Sequence, residues 1–212
     1  MPFPDLISPE FILTYGYWAV AGLIALESMG IPLPGETALI TAAVLAGATH
    51  DLNIVLVIGS AAAGAIVGDS IGFWIGHGLG ARLLTRYGSR VGLTEQRLKL
   101  GRYLFLKYGG RTVFFGRFIA ILRTLTALLA GASKMPWPKF LLFNAAGGIV
   151  WASAYGLAAY LAGELIHRIS GPLSFGFLAL GAVAVMGGAI FLRRHEQSLV
   201  EEAERAFPGS LE

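Results

Sequence analysis

The length and composition of this chain indicate a membrane protein. It has 212 residues, of which 55% are hydrophobic and only 14% are charged, with a net charge of +3 and a mean hydropathy of +0.67. A soluble domain of this size could not cover so much apolar sequence with polar surface. At roughly 20 apolar residues per bilayer crossing, the chain can form a few spans and has no room for a separate soluble domain.

Residue types that carry metal or redox chemistry are scarce. The chain has no cysteine, which excludes disulfides and thiolate metal sites. Its four histidines are too scattered to suggest a metal site; they are His50, His77, His167 and His195. We therefore expect no metal and no cofactor.

Prolines interrupt the first apolar segment. The opening residues, MPFPDLISPE, contain no Lys or Arg, so we do not expect a cleavable signal peptide. The apolar stretch 11–31 is stopped by the sequence IPLPG at 31–35, and the next stretch, 37–49, is too short to cross a bilayer alone. This pattern predicts a re-entrant helical hairpin.

Three later stretches, 54–81, 139–166 and 173–192, are long enough to cross a bilayer. They place residues 1–192 in one membrane-embedded domain. Residues 193–212 then form a polar tail on the cytoplasmic side.

The stretch 112–133 is about one span long but carries two charges. Arg117 and Arg123 lie near its middle, and the sequence MPWP follows at 135–138. These features are unfavourable in a simple lipid-facing helix. We predict a second re-entrant hairpin here.

A weak internal repeat relates the two hairpins. Shifting the chain by 83 positions lays Ala and Gly of 62–70 on those of 145–153, and a shift of 84 lays 45–48 on 129–132. Chance matching among small residues is the alternative explanation. The predicted fold is therefore an all-α polytopic membrane protein: an inverted repeat of two re-entrant hairpins, each followed by a crossing helix, plus a C-terminal transmembrane helix.

Basic residues set the expected orientation. They are concentrated between the two repeats, at Arg82, Arg86, Arg90, Arg97, Lys99, Arg102, Lys107 and Arg111. By the positive-inside rule this connection is cytoplasmic. The first hairpin has only acidic flanks and should enter from the opposite face, which makes the repeat an inverted one.

Five ionisable residues lie within apolar sequence: Glu27, Glu36, Asp69, Arg117 and Arg123. Each would cost about 3 kcal/mol at the centre of a lipid-facing helix, so they must face one another or water. We predict that both hairpin tips meet at the membrane midplane. A guanidinium of the arginine pair should then lie within hydrogen-bond reach of one of the three carboxylates, directly or through one water. A purely structural salt-bridge network would satisfy the same requirement.

The two kinds of charge suit different tasks. Guanidinium groups match phosphate oxygens and stay charged when desolvated, so Arg117 and Arg123 are candidate phosphate-binding residues. Carboxylates in a low-dielectric site can exchange protons near neutral pH, so Glu27, Glu36 and Asp69 are candidates for proton coupling or ion pairing. For Glu36 the alternative is a favourable interaction with the helix dipole.

A glycine occurs at every fourth position of the stretch 54–81, from Gly64 to Gly80. This spacing leaves one helix face without side chains. It favours close helix–helix packing over a lipid groove.

Several ordered motifs give the chain a family resemblance. They are ESMGIPLPGE at 27–36, GD at 68–69, GFWIG at 72–76, GRF at 116–118, RT at 123–124 and AG at 130–131. With these motifs the chain resembles the DedA family of bacterial inner-membrane proteins, which is related to the eukaryotic VTT-domain lipid scramblases. The resemblance covers nearly the whole chain.

The resemblance implies lipid translocation across the bacterial cytoplasmic membrane, in particular of undecaprenyl phosphate. It also implies that the acidic pair Glu27 and Glu36 and the arginine pair Arg117 and Arg123 are the functional residues. One departure is visible, because Ala120-Ile121 stands where the family often has Pro-Gly.

Our leading hypothesis is a multi-pass flippase for a polyprenyl phosphate or phospholipid. Its expected partners are that anionic lipid, protons, the surrounding membrane lipids and a second copy of the chain, with no nucleic acid. The alternative is a proton-coupled transporter of a small solute or cation. We do not expect an enzyme, because no histidine accompanies the charged residues.

Overall fold

The computed structural model describes residues 9–31, 33–87, 103–105, 107–118, 123, 125–168 and 205–206. All regular structure in these ranges is helical. The crossing helix expected at 173–192 and nearly all of the tail expected at 193–212 lie outside the described residues.

Six helices can be numbered in chain order. They are α1 (Pro9–Ser28), α2 (Gly35–Thr49), α3 (Ile54–Tyr87), α4 (Arg111–Gly116), α5 (Thr126–Ala132) and α6 (Trp137–Arg168). Within α3 and α6, Ile54–Gly78 and Trp137–Leu165 are long and apolar enough to cross a membrane. Helices are therefore present at both stretches expected to cross, 54–81 and 139–166, and each has the length and apolarity of a membrane span.

The break expected after residue 31 is also present. α1 ends at Ser28, and Gly30 follows with a φ of 100°, a conformation that only glycine adopts without strain. α2 then begins at Gly35, directly after Pro34, and packs against α1. α1 and α2 thus form a helical hairpin.

The stretch expected to hold the second hairpin also contains two separate helices. α4 ends at Gly116, where Arg117 and Phe118 form a turn, and α5 begins at Thr126. The Ala120-Ile121 pair lies outside the described part of the chain. Both arginines are therefore located between α4 and α5.

The chain forms two compact units, and the division falls within α3 and α6. Of the described residues, the first unit contains 9–31, 33–68 and 148–168, while the second contains 69–87, 103–147 with its gaps, and 205–206. Each unit therefore combines one helical hairpin or pair of short helices with parts of both long helices.

In the first unit, α2 packs against the C-terminal part of α6 without intervening side chains. A Cβ added to Gly47 would lie under 3.0 Å from the backbone of Tyr160, and one added to Gly163 would meet the backbone of Val44 equally closely. Besides its hairpin partner α2, helix α1 also contacts α3, and at Gly64 no side chain separates the two backbones. Small residues are the usual means of such close approach in membrane helices.

In the second unit, α5 packs against the C-terminal part of α3. Added Cβ atoms at Gly131 and Gly76 would lie under 3.0 Å from the backbones of Phe73 and Leu128, respectively. The close packing predicted for the glycine face of α3 is therefore confirmed at Gly76, as it is at Gly64.

The two units share a pattern of contacts. The pairs Val44–Gly163, Gly47–Tyr160 and His50–Glu164 of the first unit correspond to Leu128–Gly76, Gly131–Phe73 and Lys134–His77 of the second. Every short-helix member is shifted by 84 positions, as in the sequence repeat. His50 and Lys134 also share a left-handed backbone, with φ values of 63° and 55°.

The contacting residues on the long helices are shifted by a different number of positions from those on the short helices. α3 and α6 begin 83 positions apart, at Ile54 and Trp137, whereas the contacting residues Phe73 and Tyr160 are 87 positions apart. The difference is four residues, about one helical turn. The sequence repeat alone did not indicate this change.

Candidate functional site

A buried polar cluster joins three elements of the second unit. Arg117, at the C-terminal end of α4, forms an ion pair with Asp69 of α3. The same guanidinium donates to the side-chain oxygen of Asn144 in α6, at 2.5 Å. The exposed fractions are 5% for Arg117, 7% for Asp69 and 0% for Asn144. We call these three residues the Arg117 cluster.

The cluster satisfies a strong energetic requirement. An unpaired charge in an apolar interior costs several kcal/mol, and a buried ion pair is favourable only when further hydrogen bonds satisfy its remaining groups. Asn144 supplies such a hydrogen bond. The arrangement is the one expected from the sequence, with a guanidinium in reach of a carboxylate, and Asn144 is an addition that the sequence analysis missed.

Two phenylalanines lie one helical turn from the Arg117 cluster. Phe73 follows Asp69 by four residues in α3, and Phe140 precedes Asn144 by four residues in α6. Their rings stack with centroids 4.4 Å apart, and both are buried. The stack packs α3 against α6 one turn from Asp69 and Asn144.

Arg123 lies in the same unit and is less buried than Arg117. It is of intermediate exposure. Of the five ionisable residues expected within apolar sequence, the second unit therefore contains the two arginines and the Asp69 carboxylate. An excess of positive charge within apolar surroundings is suited to binding an anion.

The acidic pair lies in the first unit. Glu27 is near the end of α1, and Glu36 is at the start of α2. An oxygen of Glu27, Oε2, accepts a hydrogen bond from the backbone N–H of Glu36 at 3.0 Å. Glu36 is the second residue of α2, so two acidic residues lie at this helix N-terminus: Glu36 in its first turn and Glu27 through its side chain. From the sequence alone, only Glu36 is expected to interact with this helix end.

Similarity to known proteins shows the family of this chain. Residues 33–161 match the model of the VTT domain, which is more than half of the chain. The chain belongs to the DedA family of membrane proteins. A DedA family assignment agrees with its buried charges and with its two membrane-capable helices.

Relatives of this DedA family chain cover nearly its full length. It is 40% identical to an uncharacterized membrane protein of Synechocystis sp., over 86% of this chain and 85% of that protein. An uncharacterized membrane protein of Mycobacterium tuberculosis is 40% identical, with 89% and 88% coverage. Protein DedA of Escherichia coli is 28% identical, with 94% of both chains covered. No solved structure matches the chain.

Proposed function

We propose that this protein is a multi-pass transporter of the bacterial cytoplasmic membrane that moves a phosphate-bearing lipid, such as undecaprenyl phosphate, from one leaflet to the other. The observation that carries the proposal is the buried guanidinium of Arg117, with a second guanidinium, that of Arg123, in the same unit of a membrane protein. Intramembrane charges that are costly to bury typically mark a substrate or ion pathway.

The two arginines have different roles in binding the lipid head group. Arg117 is held by Asp69 and Asn144, so it provides a fixed positive charge. Arg123 is the more accessible guanidinium, and its planar fork suits a two-bond contact with a phosphate group. We assign the first contact with the lipid head group to Arg123 and the charge that retains the head group to Arg117.

The shared contacts of the two units support an inverted repeat with re-entrant hairpins. Both units pack a short helix against the C-terminal part of a long one through glycines at corresponding positions. Transporters commonly use such repeats with broken helices to form a site near the bilayer midplane. In this arrangement the carboxylates Glu27 and Glu36 provide proton coupling, and the protein performs no covalent chemistry on the lipid.

The test replaces one guanidinium while its charge is retained. Arg123→Lys should lower transfer of labelled undecaprenyl phosphate across proteoliposomes at least about tenfold, because an ammonium cannot form the paired contact. Arg111→Lys, at an exposed arginine of α4, is the matched control and should transport normally.

Two outcomes would count against the proposal. Wild-type protein that moves no phosphate lipid above the empty-vesicle rate would exclude lipid transport. Normal transport by Arg123→Lys, with loss only in Arg123→Ala, would favour charge balance and the alternative of a proton-coupled transporter for a small solute or cation.

A further inference from the structure

Two tryptophans and two lysines share one surface of the second unit, at the start of α6. The rings of Trp74 and Trp137 have centroids 5.3 Å apart, and Trp74 is 54% exposed. Lys134 and Lys139 are exposed as well, on either side of Trp137 in the sequence. We call these four residues the Trp137 patch.

Contacts beneath the Trp137 patch fix its position. The ring of Trp137 packs against the rings of Phe73 and Phe140, with centroids 5.3 Å and 5.8 Å away. Nζ of Lys134 donates to the backbone carbonyl oxygen of His77 at 2.6 Å. The patch therefore lies on the packed contact between α3 and α6.

α3 and α6 run in opposite directions through the second unit. Asp69 of α3 and Asn144 of α6 contact the same guanidinium, that of Arg117. Further along α3, Trp74 contacts Trp137, which lies before Asn144 in α6. The C-terminal direction of α3 and the N-terminal direction of α6 therefore lead to the same end of this unit.

At that end, the exposed surface of both helices changes from apolar to cationic. Large apolar side chains are exposed on α3 at Ile71 and Ile75, and on α6 at Leu142. Lys139 lies three residues before Leu142, so a cation borders the apolar surface directly. Tryptophan rings are enriched where acyl chains meet head groups, and lysines extend from there toward water. The order of these side chains is typical of a membrane–water boundary.

The charge of the Trp137 patch favours contact with a negatively charged surface. In the part of the second unit that the structure describes, the only acidic side chain is that of Asp69, which is buried and paired with Arg117. No described carboxylate of this unit therefore offsets Lys134 and Lys139. Lysines attract an anionic leaflet when they lie within a Debye length of it, about 10 Å in ordinary salt.

We propose that the Trp137 patch binds the anionic phospholipid head groups of the leaflet that it faces, and thereby fixes the depth of the second unit in the membrane. The tryptophan rings lie among the glycerol groups and upper acyl chains, and the two ammonium groups contact lipid phosphates. This surface is separate from the Arg117 cluster, and its role does not depend on what the protein transports.

The test measures contact between brominated lipids and one tryptophan, because bromine quenches tryptophan fluorescence only at close range. Trp18→Phe, Trp137→Phe and Trp151→Phe leave Trp74 as the one tryptophan of the full-length chain. The vesicles contain equimolar phosphatidylcholine and phosphatidylglycerol, and the bromine is on one lipid or on the other. Binding at Trp74 should favour the anionic phosphatidylglycerol at least about twofold.

Charge variants of the Trp74 protein separate the lysines from the rings. Lys134→Gln combined with Lys139→Gln should lower the preference for phosphatidylglycerol to about one, whereas the two Lys→Arg changes should retain it. Lys139→Gln alone leaves the contact between Lys134 and His77 in place. This single variant should also reduce the preference, and it tests the proposal if the double glutamine variant does not fold.

Trp18 provides the matched control. It is 87% exposed and belongs to α1, which contains no Lys or Arg, so a protein with Trp18 alone should show no preference between the two lipids. Equal quenching of Trp74 by both lipids, or a preference that the glutamine variants leave unchanged, would overturn the binding of anionic head groups. Absence of quenching by either lipid would overturn the membrane contact itself and would show that protein, such as a second copy of this chain, covers the patch.

Discussion

Asn144 completes the coordination of a buried guanidinium without adding a second negative charge. Its side chain is fully buried and accepts from Arg117, which also pairs with Asp69. A second carboxylate in this place would require a further counter-charge, whereas an amide requires only hydrogen bonds. Asp69 is therefore the one negatively charged side chain among the three residues of the Arg117 cluster.

We expect Asn144→Ala to destabilise the protein by about 1–3 kcal/mol, because one buried donor of Arg117 loses its acceptor. The measurement is thermal unfolding of the purified protein in one detergent. Leu142→Ala, at a largely exposed position of the same helix, is the control. Equal melting temperatures for the two variants would show that Arg117 does not depend on Asn144.

At the scale of single helices, the glycine face of α3 packs against two different neighbouring helices. Gly64 and Gly68 contact the backbone of α1 in the first unit, and Gly76 contacts α5 in the second. Other glycines of α3 have no such neighbour, since nothing lies within 4 Å of a Cβ at Gly59 or Gly78. The helix therefore contains matched test and control positions.

We expect Gly64→Ala, Gly68→Ala and Gly76→Ala to lower stability by about 1–3 kcal/mol each, because the added methyl group meets a neighbouring backbone. Gly59→Ala and Gly78→Ala should be neutral or stabilising by up to about 1 kcal/mol, since alanine is the better helix former. Thermal unfolding of the five variants checks this. A similar change at all five positions would contradict close packing.

At the scale of the whole molecule, each half of the sequence contributes to both units. α2 packs against α6, and α5 packs against α3. The contacts of Gly47 and Gly131 therefore both join the two halves of the sequence. Neither half can form these contacts alone.

We therefore expect chains 1–100 and 101–212 to be poorly stable when expressed separately and to copurify when expressed together. The measurement is recovery of an untagged half with a tagged one from detergent extracts. Gly47→Leu in the first half should reduce this recovery, because it blocks contact with Tyr160. Separate halves that are each stable and do not associate would show that the glycine contacts are not required.

The sequence predicted much of the helical content but only part of the site. Hydropathy located the long apolar helices α3 and α6, and prolines located the break before α2, because both signals are local. The cost of buried charge predicted a partner for Arg117. Asn144 was missed because one neutral amide in an apolar helix gives little signal, and the hydrogen bond from Glu36 to Glu27 was missed because it depends on the angle between two helices.

The four-residue difference between α3 and α6 has a geometric consequence. The contact of α2 with α6 lies about one turn further from the start of its long helix than the contact of α5 with α3 does. The two repeats therefore cannot be superposed over their short helices and their long helices at the same time, although their local contacts are equivalent.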